Sequence, residues 1–431
     1  MLKLSHLVYP IHQEVTLRLT PEFSMQIRED VCYSMSVYPV SGLRMYGLRD
    51  RKDGPTEEDA KIFDREGHHI PLEIRNGGLE LELRFPQEDW YRLRIYAGDE
   101  KIAMLDLYAL EEDLLALTPY KGDNHMHTIY SDGRDSPMYM AAAACRLGYD
   151  YCVITDHYKY EPSLLARDFY ADTGVDFLVI PGEEIHSPDN RVHIINLGGK
   201  ASVNDWYRDH EEKYREAVSR ELENIREPMV ERCRYEAAAC QVIFDRIRSV
   251  DGISVLCHPH WFIETGFNER EDVTEYLWDH RRFDVLELIA GGAYEIGTQL
   301  QLSYFKEREA VPILGSSDAH ACFGYRLEPG NFTIVFASAL DTEPVKNAIR
   351  QGLTVAGNAG KLYGNYRLVK YAYFLHQCYY PEHDAQRSLL GSRMQRLASG
   401  LPKDTVPEDY VSTPRPSEMF AQLRYSKKDQ S

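Results

Sequence analysis

Near residue 118 the spacing of apolar residues changes, and this change constrains the fold more than any other feature of the chain. Upstream, Val15-Thr16-Leu17-Arg18-Leu19, Leu79-Glu80-Leu81-Glu82-Leu83 and the run Trp90 to Tyr96 alternate in a period of two. Alternation puts the apolar side chains on one face of an extended segment, the pattern of a half-buried strand. The turn signals Asp53-Gly54-Pro55 and Asn76-Gly77-Gly78 separate such runs, and no long amphipathic helix is visible. Residues 1–117 are therefore expected to form a small all-β sandwich.

From 118 onward, short apolar runs alternate with helix-length stretches. Tyr151 to Ile154, Phe177 to Ile180, Val192 to Leu197, Ile253 to Cys257, Phe283 to Leu288, Val311 to Leu314, Phe332 to Phe336 and Leu353 to Val355 read as strands. Ser136-Pro137 is a cap and first turn for a helix running through the alanines to Gly148. Residues 205–249 read as helical with a break at Pro228, and another helix follows Asp341. Near-continuous apolar strands separated by helices indicate a parallel sheet covered by helices, and six to eight such units suggest a barrel. This α/β region is expected over 118–360. A tyrosine-rich extension, 361–431, carries one helical stretch near 384–398.

The 431 residues are ample for two or three domains at roughly 100–200 residues each. Sixty-eight acidic residues against 49 basic give a formal charge of -19, which opposes long nucleic acid and anionic lipid as partners. A small phosphorylated substrate is not excluded, because a local cationic site can sit in an acidic protein. The amino terminus lacks the apolar core of a secretion signal, and no run of about 18 apolar residues occurs. The eight cysteines are scattered without a C-x-x-C pair, as in a reduced, cytoplasmic protein. Oligomeric state is not readable.

The chemistry is concentrated at the strand ends. His125 and His127 stand two apart, so in a strand both imidazoles face one side. A lone His-x-His more often marks two surface histidines, but further ligand types follow at regular places. Ser131-Asp132-Gly133 lies in the next loop. Ile154 leads into Thr155-Asp156-His157, and Ile180 into Pro181-Gly182-Glu183-Glu184. His193 falls in its own apolar run, Cys257 precedes His258-Pro259-His260, and Leu314 precedes Gly315 to His320 with Asp318 inside. Sites in parallel-strand folds lie at the carboxyl ends of strands. Imidazole and carboxylate donors suit Zn, Mn or Fe, and so many of them suggest more than one ion.

In this order the motifs resemble those of the PHP (polymerase and histidinol phosphatase) family, over about 123–320. The resemblance implies a distorted (β/α)7 TIM-like barrel and two or three divalent metal ions. It implies that His125, His127, Glu184 and Asp318 hold one ion. Glu184, His193 and His258 would hold a second, and Asp132, His157 and His320 a third. Glu184 is chosen over Glu183 because the family places its acid two residues after the glycine. Asp156 is expected to orient a ligand. The N-terminal β domain and the tail lie outside the resemblance.

The function expected is a metal-dependent hydrolase, foremost a phosphoesterase that cleaves a small phosphorylated substrate with a metal-bridging hydroxide. Asp318 would relay the proton of the attacking water, and His260 is a second catalytic candidate. Lys159, Arg326 and His186 are candidates for substrate contact, with an ordinary surface role as the alternative for the two cations. Two other readings stay open: a carbamate or carboxyl ester hydrolase on the same scaffold, and a non-catalytic metal-bearing binding protein.

Overall fold

The computed structural model describes every residue except 45–53, 65–67, 265, 281, 292–294, 307–310, 323–329, 359, 402–412 and 427–431. The chain divides into two units, one of Met1–Leu117 with the stretch from Ser417, the other of Thr118–Pro416.

The first unit holds a four-stranded and a five-stranded sheet. Glu14–Pro21 pairs with Gly78–Arg84, and the flanking strands are Leu2–Leu4 and Glu73–Arg75. The second sheet is built on Tyr33–Pro39, Asp89–Ala97 and Glu100–Leu110. The alternation upstream of 118 has the expected outcome. Val15, Leu17 and Leu19 share one buried core with Met35, Val37, Leu93 and Ile95. Asn76 (φ 49°) and Gly77 (φ 73°) make the hairpin turn at Gly78, with the left-handed backbone an Asn-Gly pair tolerates. Asp53 of the other turn signal lies outside the described residues. Residues from Ser417 return to this unit, where Tyr425 donates its N–H to the Val8 carbonyl at 2.8 Å.

The second unit is mixed α/β around a ten-stranded sheet. In chain order its strands are Thr118–Met126, Tyr151–Ile154, Leu178–Ile185, Ile194–Leu197, Ile253–Leu256, Val285–Ile289, Ile313–Gly315, Phe332–Ala337, Thr354–Asn358 and Lys361–Gly364. The sheet nearly closes on itself. Met126 bridges Ala319, and Thr333 Oγ1 lies 2.9 Å from the Gly315 N–H and carbonyl. Tyr151–Ile154 and Ile253–Leu256 are buried throughout, and each such aliphatic side chain contributes about 1.5–3 kcal/mol.

An all-parallel sheet is not what forms. Leu178–Ile185 and Ile194–Leu197 pair antiparallel, as do Ile194–Leu197 and Ile253–Leu256, and Thr118–Met126 and Phe332–Ala337. The connection 186–193 is too short for the helical crossover a parallel pair needs. An apolar run carries no sign of its direction, so the sequence pattern alone does not distinguish these strands.

The helices follow their signals. Ser136 Oγ caps Pro137–Arg146 by accepting the Tyr139 N–H at 3.3 Å, and Gly148 (φ 90°) ends that segment. The stretch expected to be helical with a break at Pro228 is three helices, Val203–Asp209, Glu211–Asn224 and Glu231–Ser249; Pro228 lies in the second gap, and a further break falls at His210. The tail helix begins earlier than expected, at Tyr380–Ala398, after a further helix Tyr366–Cys378. No helix among the described residues is long and apolar enough to cross a membrane. None of the eight cysteines is in a disulfide.

Candidate metal centre

The strands of the second unit bring the strand-end residues to one place. His125 lies in Thr118–Met126, and His127 just beyond it. His157, His258 and Asp318 follow the strands ending at Ile154, Leu256 and Gly315. His193 precedes Ile194–Leu197 instead of lying within it. That strand runs antiparallel to its neighbours, so its beginning falls at the end where theirs finish. His258 (φ 26°) and Asp318 (φ 50°) adopt left-handed backbone. Such strain persists where surrounding structure fixes it, and it clusters at functional sites.

Glu184 is the hub. Its Oε2 lies 2.8 Å from His157 Nδ1, 3.3 Å from His125 Nε2 and 3.4 Å from His127 Nε2. Its Oε1 lies 2.8 Å from His193 Nδ1, 3.7 Å from His258 Nε2 and 3.8 Å from His186 Nε2. Asp318 Oδ1 stands 3.0 Å from His127 Nε2 and 3.3 Å from His125 Nε2. To one side, Asp132 Oδ2 is 3.2 Å from His320 Nε2 and 3.6 Å from His157 Nε2. His157 thus faces two groups through its two nitrogens. Gly133 lets this loop lie close, since a β-carbon there would sit 2.7 Å from the His127 carbonyl.

Glu183 points the opposite way, as adjacent residues of a strand must. It accepts from Asn196 Nδ2, Ser202 Oγ, the Val203 N–H and Asn204 Nδ2, and touches none of the histidines.

Buried opposite charges set the electrostatics. Burial pushes the Glu184 carboxyl upward, but His193 and His125 beside it hold it well below the usual carboxylate range. Asp318 is likewise pushed up by burial and held low by His125 and His127. Burial depresses His193 to about 4 against the pull of Glu184. His157 goes the other way: Asp132 and Glu184 overcome its burial and carry it up to about 10.

Donor atoms at these distances cannot all hydrogen-bond one another. His125 Nε2 and His127 Nε2 are 3.0 Å apart. His157 Nδ1 and His193 Nδ1 stand 2.8 Å from the two Glu184 oxygens without hydrogen-bonding geometry, and the buried His127 Nδ1 makes no hydrogen bond either. The donors form overlapping groups with ligand atoms within 4.8 Å of one another. These are His127, Asp132, His157 and His320; His125, His127 and Glu184; Glu184, His193 and His258; His125, His258 and Glu287; and His157, Glu184 and His186. Converging lone pairs on nitrogen and carboxylate oxygen fit divalent cations, which satisfy them at about 2.0–2.2 Å.

Sequence reasoning missed Glu287. It is fully buried in Val285–Ile289, its Oε1 2.9 Å from His125 Nδ1 and its Oε2 accepting the His258 N–H at 3.1 Å. By holding His125 Nδ1 it turns Nε2 toward Glu184 and Asp318. The available signal was an acid in the middle of an otherwise apolar strand. Asp156 does not orient His157 through its carboxylate. It accepts from the Thr128 N–H and from the Thr128 and Ser131 hydroxyls, which fixes the loop leading to Asp132.

The other candidates separate. His186 joins the cluster, its ring tilted 46° to that of His193 at 4.0 Å between centroids and edge-on to that of His157 at 4.5 Å. His260 does not. Its ring packs against Phe267 and Tyr304, burial lowers its pKa, and no described contact ties it to Glu184 or Asp318. Lys159 is exposed, its Nζ 5.9 Å from the Tyr130 ring. Arg326 lies outside the described residues.

No family model matches the chain. Over 91 residues it is 43% identical to the DNA polymerase/3'-5' exonuclease PolX of Bacillus subtilis (strain 168), a match covering 21% of this chain and 12% of that relative. A two-domain protein from Bacteroides vulgatus ATCC 8482, described as containing a PHP-like metal-dependent phosphoesterase, matches with TM-score 0.45 and 20% identity over 61% of this chain and 71% of that one. A protein from Bifidobacterium adolescentis ATCC 15703 described as a metal-dependent phosphoesterase matches with TM-score 0.33 and 18% identity, over 47% and 89%. An amidohydrolase from Chromobacterium violaceum with bound sulfate matches with TM-score 0.32 and 17% identity, over 48% and 89%.

Proposed function

We propose that this chain, PHP-like in its motifs, is a metal-dependent hydrolase that acts on a small phosphoester. The observation that carries the reading is the meeting of six histidines, His125, His127, His157, His193, His258 and His320, with Asp132, Glu184 and Asp318, several of their donor atoms buried and making no hydrogen bond. The sheet is read as a distorted (β/α)7 barrel over about 118–360, with a β-sandwich before it and a partly helical extension after it. The site is read as holding two or three ions of Zn, Mn or Fe, and the protein as cytoplasmic.

His125, His127, Glu184 and Asp318 would hold one ion. Glu184, His193 and His258 would hold another, and Asp132, His157 and His320 a third. Divalent ions held there lower the pKa of water and offset the charge of phosphoryl oxygens. The protein supplies the rest. Glu287 fixes the His125 ring, and Asp156 fixes the loop that presents Asp132. Asp318 takes the proton of the attacking water on its carboxylate, which His125 and His127 keep ionised. Lys159 and His186 are the substrate contacts of this reading.

The test is elemental analysis of the purified protein together with turnover of a panel of phosphoesters, carbamates and carboxyl esters. Bound metal and phosphoester turnover are expected. Turnover of carbamates or carboxyl esters alone would move the assignment to that chemistry. Bound metal with no turnover of any class would favour a binding protein.

A further inference from the structure

Beside the metal centre lies a pocket of about 440 Å³, inside the size range of small-molecule sites. It shares His186 with the cluster, and that ring is 4.0 Å from the His193 ring. Three elements each bring one arginine to its wall. Arg191 comes from the connection before Ile194–Leu197, Arg208 from the last turn of Val203–Asp209, and Arg232 from the first turn of Glu231–Ser249.

The wall is built by specific contacts. The Tyr207 hydroxyl donates to the His186 carbonyl at 3.0 Å and to Asn204 Oδ1 at 2.7 Å. Asn190 Oδ1 accepts the Val192 N–H at 3.0 Å, which shapes the turn carrying Arg191 toward His193. Arg208 pairs with Asp205, and Arg232 Nε with Glu236 Oε1 at 3.1 Å, one acid each and both on the same helix as the arginine. Arg191 makes no side-chain ion pair among the described residues. Asp189, the acid in the lining, is 74% exposed and faces Arg215 at 4.0 Å. Arg208 and Asp205 are both half-exposed and hold each other weakly, whereas Arg232, itself half-exposed, pairs with a buried Glu236. A chain of formal charge -19 therefore places three guanidinium groups around one cavity next to its metal ligands. Guanidinium forks match phosphate and carboxylate oxygens in bidentate geometry.

We infer that this pocket takes a second anionic group of the substrate, so that the preferred substrate is a phosphoester carrying a further phosphate or carboxylate. The inference rests on the hydrolase reading above. The phosphoester to be cleaved lies at the Glu184 centre, and the second anion reaches past His186 to Arg191, Arg208 and Arg232. These arginines position the substrate and do not touch the reacting bond.

The experiment compares metal-loaded full-length protein with its R191M/R232M variant. The substrates are phenyl phosphate, 4-carboxyphenyl phosphate and 1,4-phenylene bisphosphate. For each protein the kcat/KM of an anionic analogue is divided by that of phenyl phosphate. The ratio in the wild-type protein is expected to exceed the ratio in the variant by about tenfold or more, the loss of a charge-assisted contact. Leaving-group effects cancel, because the same analogues are compared in both proteins. R191K/R232K, which keeps the charge but not the fork, is expected to fall between. A larger loss for the bisphosphate than for the carboxylate identifies phosphate as the second anion, and the reverse identifies carboxylate. Ratios equal within about twofold in the two proteins would overturn the inference. Calorimetric binding of benzylphosphonate and 4-carboxybenzylphosphonate separates this from the hydrolase reading. If no phosphoester is turned over but the carboxylated phosphonate binds tighter to the wild-type protein alone, the pocket stands and the phosphoester assignment falls. Equal binding of both phosphonates in that case overturns the pocket as well.

Discussion

The second unit buries two clusters of charged side chains, and their contrast separates a site from a support. In the first, around Glu184, several buried nitrogens and one carboxylate oxygen face one another without forming hydrogen bonds. In the second, on the helix Tyr380–Ala398, the partners are complete. His383 Nε2 meets Asp150 Oδ1 at 2.9 Å, and its Nδ1 meets Asp384 Oδ1 at 2.9 Å. Asp150 Oδ2 accepts the Lys121 N–H at 2.9 Å, and Arg387 Nε lies 3.2 Å from Asp150 Oδ1. Arg387 also donates to the Tyr149 and Asp176 carbonyls, and Lys121 Nζ lies 2.6 Å from Asp384. Buried polar groups are stable when each has its partner. A network that closes on itself holds two elements together, whereas one left open at its centre is shaped for something the chain does not supply.

The largest effect should come from Glu184, where the open cluster has its hub. Glu184→Gln keeps the volume but removes the charge that offsets bound dications. Turnover is expected to fall by at least about 100-fold, and metal content with it. Its neighbour gives the control. Glu183→Gln places an amide against the donors of Asn196, Ser202, Val203 and Asn204. That change should lower stability by about 1–3 kcal/mol while metal stoichiometry holds. Elemental analysis and denaturant melts on both variants decide the matter, and loss of metal from Glu183→Gln alone would reverse the assignment.

Asp150→Ala applies the same logic to the closed network. It leaves Arg387 buried without its acid and His383 with Asp384 alone. Removing one partner of a buried ion pair costs about 3–5 kcal/mol. The denaturation midpoint should drop accordingly, while the folded fraction keeps its metal. Metal loss at unchanged stability would show that the two clusters do not differ in kind.

What was legible in the chain follows the same division. The strand-end residues were readable because strand runs are short and apolar, so a histidine or acid directly after one stands out. His193 was assigned to the right place for a partly wrong reason: it precedes its strand, and only the antiparallel direction brings it to the site. Glu287 was hidden because Leu286-Glu287-Leu288 reads as core, and a pleat can turn one acid inward toward a histidine. His260 carries the right chemistry two residues after His258, yet its ring goes to Phe267 and Tyr304. The tail gave no signal of its role. Arg387 and His383 find Asp150 more than 200 positions away, and no local pattern encodes such a contact.

The smallest effect, and the sharpest test of the closed network, is its pH dependence. Burial pushes the His383 imidazole down, but Asp150 and Asp384 outweigh it and raise the ring above its ordinary 6.5, with Lys121 opposing. Burial pushes Asp150 up, and His383 and Arg387 hold it below its ordinary 3.8. A raised imidazole contributes stability that is complete below pH 6.5 and is lost as pH rises through its folded value. A lowered carboxyl contributes stability that is complete above pH 3.8 and is lost as pH falls through its folded value. The network is therefore strongest between these limits. The histidines around Glu184 titrate too, so the quantity to measure is the stability of the wild-type protein minus that of His383→Gln, each with its metal removed by chelator. Titration common to both proteins cancels, and the lost packing adds a constant. The difference should be flat just below pH 6.5 and then shrink with rising pH, by at most about 1.4 kcal/mol per pH unit. A difference that grows with pH would mean that His383 is buried neutral, and that the closed network is held by hydrogen bonds without a charge on the imidazole.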